Sequence, residues 1–500
     1  MDGNIGRRKA FRWAGGAVAA LGAVGAGIGA AALRGTASPG GGQPAVPPSS
    51  RRSVAGLPVG FRTDGYRCST DVPDALQPWR GRRAKRADTD PHDASGVRMF
   101  SRDGKLHDHP VGQIQYGLHN LAAFRASGDR FFLDRCVAQA ERLIARRVER
   151  RGAWYFPYSF DFRLDAHDGI EFRGPWFSGM AQGESLSLFG QLAKIDALPG
   201  RQRARYGAAA RAAFTSLLRG NDAKPWVVAR DEKGLLWLHE YPIDAPGTSD
   251  CTYNGHMFAA LGLWDHHHLT GDPLAERLFD GALSTLSAEF ETLRGKEWLS
   301  HYCRTHLVPT ASYHQVHVTL LSQLGHLGGG AGFARLSDAL MDDYPTPSLG
   351  MSGGRVVFAP GRHATYDFDD EGGVRSASEL VVAAAEEHSA SRRTRIKGRG
   401  IHYLLTSGPG KGRYVEESFP RVWLRGTWCK SGYREGRTAL FPAGVSVVCR
   451  SEDGRTQRAV SHERDTKVPF DARAVVDGRV MVRLGTGLWA PVAQLALDAA

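Results

Sequence analysis

The spacing of apolar residues predicts helices through the middle of the chain. One apolar stripe recurs every three or four residues, as on the buried face of a helix, and consists of Val111, Ile114, Leu118, Leu121 and Phe124. Further helices are predicted at 178–195, 201–219, 254–269, 272–293 and 314–327. Short turns join these helices in pairs, and helix pairs in series are typical of an α/α bundle or toroid.

A different pattern begins after residue 330, where strand-like runs alternate with Gly-rich turns. The run at 358–361 (Phe-Ala-Pro-Gly) is echoed at 441–444 (Phe-Pro-Ala-Gly), and the run at 410–414 is echoed at 485–489. Such self-similarity indicates a repeated unit. We therefore predict a multidomain α+β protein. An α/α toroid-like domain at 106–330 precedes two tandem β-rich repeats, each sandwich- or barrel-like, at 350–420 and 432–500.

The first 105 residues show neither pattern. Residues 1–37 combine a basic start, which includes Arg7 and Arg8, with a weakly apolar stretch rich in Ala and Gly. This is typical of a twin-arginine-like export signal, and an uncleaved N-terminal anchor is the alternative. Residues 38–105 are predicted to be a Pro/Gly/Ser-rich linker followed by a basic irregular region. Either interpretation of the first segment predicts an exported, extracytoplasmic protein.

Composition narrows the classes of function. The chain has 500 residues, with 64 Lys and Arg against 52 Asp and Glu, and a net charge of +12. That surplus favours an anionic partner, although surface charge that binds nothing explains it equally well. The hydrophobic share of 42% excludes a disordered chain. No phosphate loop, dinucleotide fingerprint or zinc-finger spacing is present, so neither a nucleotide cofactor nor nucleic acid binding is predicted.

Candidate chemistry lies in five segments that concentrate aromatic, carboxylate, amide and basic groups. In chain order they are 115–118 (Gln-Tyr-Gly-Leu), 175–183 (Pro-Trp-Phe-Ser-Gly-Met-Ala-Gln-Gly), 240–242 (Glu-Tyr-Pro), 253–255 (Tyr-Asn-Gly) and 302–317, which ends in Tyr-His-x-x-His. With these motifs in this order, the segment from about His107 to Leu327 resembles the helical catalytic domain of the D-glucuronyl C5-epimerase family. The resemblance implies an exported bacterial member of that family, without a metal or cofactor, and suggests a homodimer.

The resemblance also implies roles for matching residues. Glu240 and Tyr313 match the family's acid/base groups, which act on opposite faces of the sugar, and Tyr241 and Tyr302 match tyrosines that support them. An ordinary tyrosine has a pKa of about 10, so Tyr313 is expected to need a neighbour, such as Arg304 or a histidine, that lowers its pKa. A raised pKa would suit Glu240.

Arg304 corresponds to the arginine that holds the substrate carboxylate. It stands one residue closer to Tyr302 than in the family, so Arg294 or Lys296 is an alternative. The other predicted substrate-binding residues are Trp176, Gln182, Asn254, His314, His317 and Tyr116. Three of these motifs also have a purely structural interpretation: Trp176 as core, Tyr116 as a packing residue, and 178–183 as a capped, closely packed helix start.

Two further alternatives concern metal and disulfide chemistry. His314 and His317, with His301 and His306 nearby, could form a zinc site, but no carboxylate or cysteine completes a known pattern, so no metal is predicted. Cys251 and Cys303 flank two of the motifs and could pair in an exported chain.

Removing the C5 proton of a uronate places a second negative charge beside its carboxylate, so the site needs strong donors there and an acid/base group on each face. We therefore expect an isomerase, a uronate C5-epimerase that converts D-glucuronate to L-iduronate within an acidic polysaccharide. The alternatives are a polysaccharide lyase that shares the first step, and a catalytically inactive protein that binds glycan or, through the β repeats, cell-wall polymer.

Overall fold

The computed structural model describes residues 60–164, 170–221, 223–243, 249–345 and 353–498, and the predicted export signal or anchor at 1–37 lies outside them. From residue 60 the chain runs as an irregular arm over the helices. Trp79 in this arm stacks on Phe258, with ring centroids 5.7 Å apart. A hairpin of β1 (Phe100–Arg102) and β2 (Lys105–His107) ends the arm.

The described part of the chain contains nine α-helices. They are α1 (Pro110–Ser127), α2 (Arg130–Arg146), α3 (Gly179–Leu192), α4 (Gly200–Leu217), α5 (Tyr253–Thr270), α6 (Pro273–Ala288), α7 (Phe290–Leu293), α8 (Ala311–Leu324) and α9 (Gly330–Asp343). Short hairpins lie between the helix pairs: β3 (Val148–Arg150) with β4 (Ala153–Tyr155), β5 (Phe162–Leu164) with β6 (Ile170–Phe172), and β7 (Val228–Arg230) with β8 (Leu236–Leu238). None of the described helices is long and apolar enough to span a membrane.

The helices form an inner row and an outer row. In the inner row α1 contacts α3, α3 contacts α5 and α5 contacts α8, while α2, α4, α6 and α9 each pack on one inner helix. Every residue of α3 is buried, whereas α2 buries one face only. The paired helices confirm the helical part of the predicted fold class, and closure of the row into a toroid stays a prediction.

Glycines allow the inner helices α3 and α5 to approach each other closely. A Cβ atom on Gly183 would lie 2.3 Å from the Cα of Ala259, and one on Gly262 would lie 1.8 Å from the carbonyl oxygen of Gly183. Ser178 caps α3 by accepting a hydrogen bond from the backbone N–H of Ala181. The segment at 178–183 therefore serves helix packing, as its structural interpretation proposed.

The chain becomes β-rich at Gly354. Its strands are β9 (Gly354–Phe358), β10 (Gly361–Phe368), β11 (Val374–Val382), β12 (Glu386–Ile396), β13 (Gly400–Leu405), β14 (Tyr414–Glu416), β15 (Val422–Leu424), β16 (Thr427–Phe441), β17 (Val447–Arg450), β18 (Gln457–Val460), β19 (Thr466–Val476), β20 (Arg479–Leu484), β21 (Trp489–Pro491) and β22 (Ala496–Leu497). One sheet has the order β11-β10-β14-β13-β12-β9-β15, and the other has β18-β17-β21-β20-β19-β16-β22. Both sheets thus connect seven strands in the same order. A sandwich or barrel shape stays a prediction.

The helical part extends to Asp343, past its predicted end at residue 330. The additional helix, α9, was not predicted. A Gly-rich run at 328–332 precedes most of this helix and has the composition of a linker. Helix α9 also contacts strand β16 of the second sheet. Asp338 on α9 pairs with the buried Arg437 of β16, and Arg437 also binds Asp498 with Nη2 2.6 Å from the carboxylate.

Candidate active site

The site lies where the inner helices α5 and α8 begin. Glu240 follows β8, and its Oε2 accepts hydrogen bonds from Thr252, the residue before α5, and from Asn254 in its first turn. An isolated β-bridge between Thr252 and Cys303 holds the start of α5 beside the loop that leads to α8. The motifs at 240–242, 253–255 and 302–317 are therefore brought together, as the resemblance implies.

Glu240 is a buried carboxyl group surrounded by neutral donors. Thr252 Oγ1 lies 2.9 Å, Asn254 Nδ2 3.3 Å and the Tyr302 hydroxyl 3.4 Å from its Oε2. Burial raises the pKa of Glu240 to about 7, and the hydrogen bonds from Thr252, Tyr241, Asn254 and Tyr302 oppose that rise. The carboxyl group therefore titrates near neutral pH, which agrees with the expectation of a raised pKa.

Three tyrosines complete the polar part of the site. The rings of Tyr302 and Tyr313 have centroids 4.5 Å apart, and their side chains are hydrogen-bonded, as are those of Tyr241 and Tyr302. Burial first, and the charge of Glu240 second, raise the pKa of each of these three tyrosines. The expected lowering of the Tyr313 pKa is therefore wrong in sign. All three hydroxyls stay protonated and act as donors.

An aromatic wall stands beside this polar cluster. Trp176 stacks face to face on Tyr158, with centroids 3.9 Å apart, and its indole N–H donates to the carbonyl oxygen of Phe160 at 3.0 Å. Its ring centroid is 6.0 Å from that of Tyr241. Trp176 is buried within an aromatic cluster, so its structural interpretation is supported, and its proximity to Tyr241 keeps it at the edge of the site.

Arg304 forms ion pairs with two acidic residues of the protein. Its Nη1 is 2.7 Å from Asp231 and its Nε is 3.4 Å from Glu289. The two alternative cations are placed elsewhere: Arg294 pairs with Asp343 at the end of α9, and Lys296 is exposed. Sequence reasoning missed these ion pairs, because the acidic partners are distant in the chain.

Two predicted substrate-binding residues have hydrogen-bond partners inside the protein, and their role toward substrate stays a prediction. Gln182 is fully buried, and its amide nitrogen donates to the carbonyl oxygen of Trp154 and to the hydroxyl of Ser216, each at 2.7 Å. Tyr116 donates to Asp88 at 2.9 Å on the side of the arm. Each group already has its partners inside the protein.

The two histidines of the Tyr-His-x-x-His motif are also buried and structural. His314 Nδ1 accepts from the backbone N–H of Ser300 at 2.9 Å, so its Nε2 carries the proton and donates to the carbonyl oxygen of Leu340. His317 Nδ1 is 2.8 Å from the hydroxyl of Ser300. Burial lowers the pKa of His314 to about 4 and that of His317 to about 3, so both are neutral. Both ring nitrogens of His314 are engaged, which does not fit the zinc alternative, and the substrate contact of the two histidines stays a prediction.

The structure adds a second buried carboxyl group that sequence reasoning missed. Glu184 on α3 is fully buried, and its Oε1 accepts from the amide of Gln115 at 2.8 Å. Burial raises its pKa well above the usual value, the hydrogen bond from Gln115 opposes this, and the charge of Glu240 adds to the rise. Glu184 directly follows the motif at 175–183, and Thr252 directly precedes the motif at 253–255. Adjacency to a motif was the available signal.

All six cysteines are free, so the disulfide considered between Cys251 and Cys303 is not formed. Cys303 instead lies in a group with Asp250 and His306, whose ligand atoms are all within 4.8 Å of one another. His306 Nδ1 is 2.8 Å from the carboxylate of Asp250, and the thiol of Cys303 is hydrogen-bonded to the same carboxylate. This group fastens the loop after Tyr302.

A buried carboxyl group with protonated tyrosines around it is a site for acid–base chemistry. Residues 149–338 match the family model described as D-glucuronyl C5-epimerase C-terminus, which confirms the predicted resemblance over that segment. Glu240, Tyr302 and Tyr313 all lie within it. The match therefore covers the polar residues of the candidate site. A search of curated proteins finds no match.

Solved structures resemble the chain only distantly. An unsaturated glucuronyl hydrolase specific for heparin is 14% identical, with a TM-score of 0.32 over 46% of this chain and 60% of its own. A second such hydrolase, from Streptococcus agalactiae, is 11% identical, with a TM-score of 0.33 over 61% and 66%. A family 76 glycoside hydrolase (mannosidase) from Bacteroides thetaiotaomicron is 13% identical, with a TM-score of 0.30 over 49% and 58%. The chain thus spans about three fifths of the lengths of these proteins.

Proposed function

We propose that this protein is a uronate C5-epimerase that converts D-glucuronate to L-iduronate within an acidic polysaccharide. The observation that carries the proposal is the buried carboxyl group of Glu240, with a pKa of about 7, hydrogen-bonded to one of two protonated tyrosines whose rings are in contact. Half of such a group is in its basic form near neutral pH, which suits it to take and return a proton. The family match over residues 149–338 supports the same reaction class.

The reaction requires one C–H bond to break and another to form at the same carbon. Glu240 removes the C5 proton, and the electron pair moves into the substrate carboxylate. Tyr313 then delivers a proton to C5 from the opposite face. This leaves a protonated Glu240 and a tyrosinate, which is costly because burial raises the pKa of Tyr313.

The hydrogen-bonded chain through Tyr302 offers a route that resets these protons. Tyr302 donates to Glu240 and is also bonded to Tyr313. After each turnover the proton on Glu240 passes to Tyr302 while the proton of Tyr302 passes to Tyr313. The starting protonation state is then restored, and these carboxyl and hydroxyl protons exchange with solvent between turnovers, so the hydrogen delivered to C5 comes from the solvent.

The negative charge that develops on the substrate needs donors already fixed in place. The hydroxyl of Tyr241, the amide of Asn254 and the start of α5 supply them in this proposal. A helix N-terminus carries a partial positive charge that favours anions. Arg304 contributes less than the resemblance implies, because Asp231 and Glu289 already neutralise its charge.

Export through residues 1–37, binding of cell-wall glycan by the two sheets, and a homodimer remain predictions. Export and glycan binding, if present, would suit a polymer substrate outside the cytoplasm more than a free sugar. Nucleic acid is not proposed as a partner.

The test incubates the full chain in D2O with heparosan and a panel of other glucuronate polymers. Proton NMR follows deuterium at C5 and iduronate signals, and ultraviolet absorbance follows unsaturated ends. We expect iduronate with deuterium at C5, and a loss of about 10²–10⁴-fold in rate for Glu240→Gln and Tyr313→Phe. Tyr206→Phe is the matched control, since Tyr206 is a buried tyrosine of the outer helix α4 whose hydroxyl donates to Glu141 of α2.

Each other outcome rejects the proposal in a defined way. Absorbance with shortening of the polymer would assign a lyase, which shares only the first proton abstraction. Tight binding of uronate polymer without exchange at C5 would assign a catalytically inactive glycan-binding protein. Equal loss of activity in the Tyr206→Phe control would show that the tyrosine effects are structural.

A further inference from the structure

We propose a divalent metal site of the Zn²⁺ class, at the end of α5 opposite to the candidate active site, formed by Cys68, His267 and Glu276. One ligand atom from each of these residues lies within 4.8 Å of the other two. Cys68 belongs to the arm, His267 to the last turn of α5 and Glu276 to the first turn of α6. The site therefore joins three separate segments and does not depend on the proposed function.

The imidazole of His267 is oriented for metal binding through Nε2. Its Nδ1 is 2.9 Å from the carbonyl oxygen of Asp272, and a carbonyl oxygen can only accept. Nδ1 therefore carries the proton, which leaves the lone pair on Nε2. Metal-binding histidines in proteins are held in this way, with the second ring nitrogen donating to a carbonyl or carboxylate.

The carboxylate of Glu276 is also held in place. Its Oε1 accepts from the backbone N–H of Cys68 at 3.2 Å, and its Oε2 accepts from Arg67 at 2.8 Å. Each oxygen keeps a further lone pair for a metal. The backbone bond fixes the thiol and the carboxylate relative to each other.

No hydrogen bond among the described residues joins the side chains of Cys68, His267 and Glu276 to one another. Their convergence therefore has no explanation in mutual hydrogen bonding. A thiolate, an imidazole and a carboxylate are the donors that Zn²⁺ takes, whereas Mg²⁺ and Ca²⁺ prefer oxygen atoms alone. The thiol of Cys68 loses its proton on binding, and the two charges of the metal balance the thiolate and the carboxylate.

The group of Asp250, Cys303 and His306 needs no metal to explain why its ligand atoms lie close together. His306 and Cys303 are both hydrogen-bonded to Asp250, so their closeness follows from those bonds. Metal at Cys68, in contrast, would fasten the arm to the turn between α5 and α6. The expected result is a structural role, seen in stability as well as in metal content.

The test titrates the full chain, first stripped with a chelator, with Zn²⁺ and with Co²⁺. We expect one equivalent of metal per chain, a thiolate-to-cobalt absorption band, and a rise in Tm with Zn²⁺. Cys68→Ser should abolish the band, and His267→Ala should weaken binding at least about tenfold. His268→Ala is the matched control, because this neighbouring histidine stacks on Trp264 with centroids 4.6 Å apart.

Two results would overturn the site. The first is a failure of the folded chain, judged by circular dichroism, to bind stoichiometric metal. The second is a band that survives Cys68→Ser and disappears in Cys303→Ser, which would assign the metal to the group around Asp250. Circular dichroism of each variant separates loss of binding from loss of fold.

Discussion

The helical site and the first β sheet each bury a glutamate against a tyrosine, yet the two carboxyl groups behave oppositely. Glu240 accepts from Tyr302 and other neutral donors, and burial raises its pKa to about 7. Glu417 accepts from Tyr403 and, at 2.7 and 2.9 Å, from the two forks of Arg393. Burial would raise the pKa of Glu417 as well, but the guanidinium outweighs it and holds that pKa below its usual value.

The difference shows that a buried glutamate can exchange a proton near neutral pH when it has no positively charged partner. Hydroxyl and amide donors orient the carboxylate of Glu240 without fully compensating for lost water. A bidentate guanidinium compensates for it at Glu417 and fixes a permanent charge. The first arrangement suits proton transfer, and the second suits the joining of β-strands.

Removal of the guanidinium is expected to give the largest change in stability. Arg393→Met leaves the charge of Glu417 without its cation, with only the Tyr403 hydroxyl as a donor, and should lower the free energy of unfolding by about 3–5 kcal/mol. Urea denaturation measures the loss. Arg362→Met is the control in the same sheet, because its pair with Glu379 is exposed and should contribute under about 1 kcal/mol. Equal effects of the two variants would contradict the comparison.

Glu240→Gln should make the protein more stable at neutral and alkaline pH. The pKa of Glu240 rises on folding from its usual 4.5 to about 7, so its contribution to stability is present below 4.5 and lost as pH rises through 7. Glutamine never ionises, so the variant should gain up to about 3 kcal/mol above pH 7 and nothing below 4.5.

Thermal or urea unfolding of both proteins across this pH range measures that gain. Glu149→Gln, at an exposed position, is the control and should follow the wild type. A gain that appears below pH 4.5 would mean that the effect of Glu240→Gln is unrelated to ionisation.

Thr252→Val should shift the pH dependence of the reaction by a smaller amount. Thr252 donates to the carboxylate of Glu240, and its side chain makes no capping bond to α5, so valine removes one bond and little else. The pKa of Glu240 should rise above about 7, and the rising limb of kcat/KM should move about one unit to higher pH. Thr252→Ser should restore the original limb, and an unmoved limb in Thr252→Val would exclude Glu240 as the titrating base.

The sequence predicted the positions of helices and of the site motifs better than it predicted which side chains form ion pairs. Apolar spacing located the main helices, and the resemblance brought Glu240 and Tyr313 to one site. It could not predict that Arg304 is engaged by Asp231 and Glu289, since ion pairs between distant segments depend on the tertiary fold. Helix α9 was missed because its Gly-rich start has the composition of a linker, and packing on β16 overrides that local signal.

The smallest effect is expected at the second buried carboxyl group. Burial raises the pKa of Glu184 well above its usual value, which favours the neutral carboxyl group, and Glu184→Gln matches that neutral group in charge and shape. The new amide oxygen can still accept from Gln115, which lies 2.8 Å from Oε1. We expect kcat/KM within about threefold of wild type, with the rising limb unmoved.

The pH of the rising limb shows whether the charge state of Glu184 affects the pKa of Glu240. If Glu184 were ionised near neutral pH, its charge would raise the pKa of Glu240, and glutamine at 184 would move the limb to lower pH. A move of about half a unit or more would therefore contradict a neutral Glu184. Glu184→Ala, which also removes side-chain volume from the centre of α3, separates packing from charge. It should lower stability while leaving the limb at the same position as in Glu184→Gln, because the two variants differ in volume and not in charge.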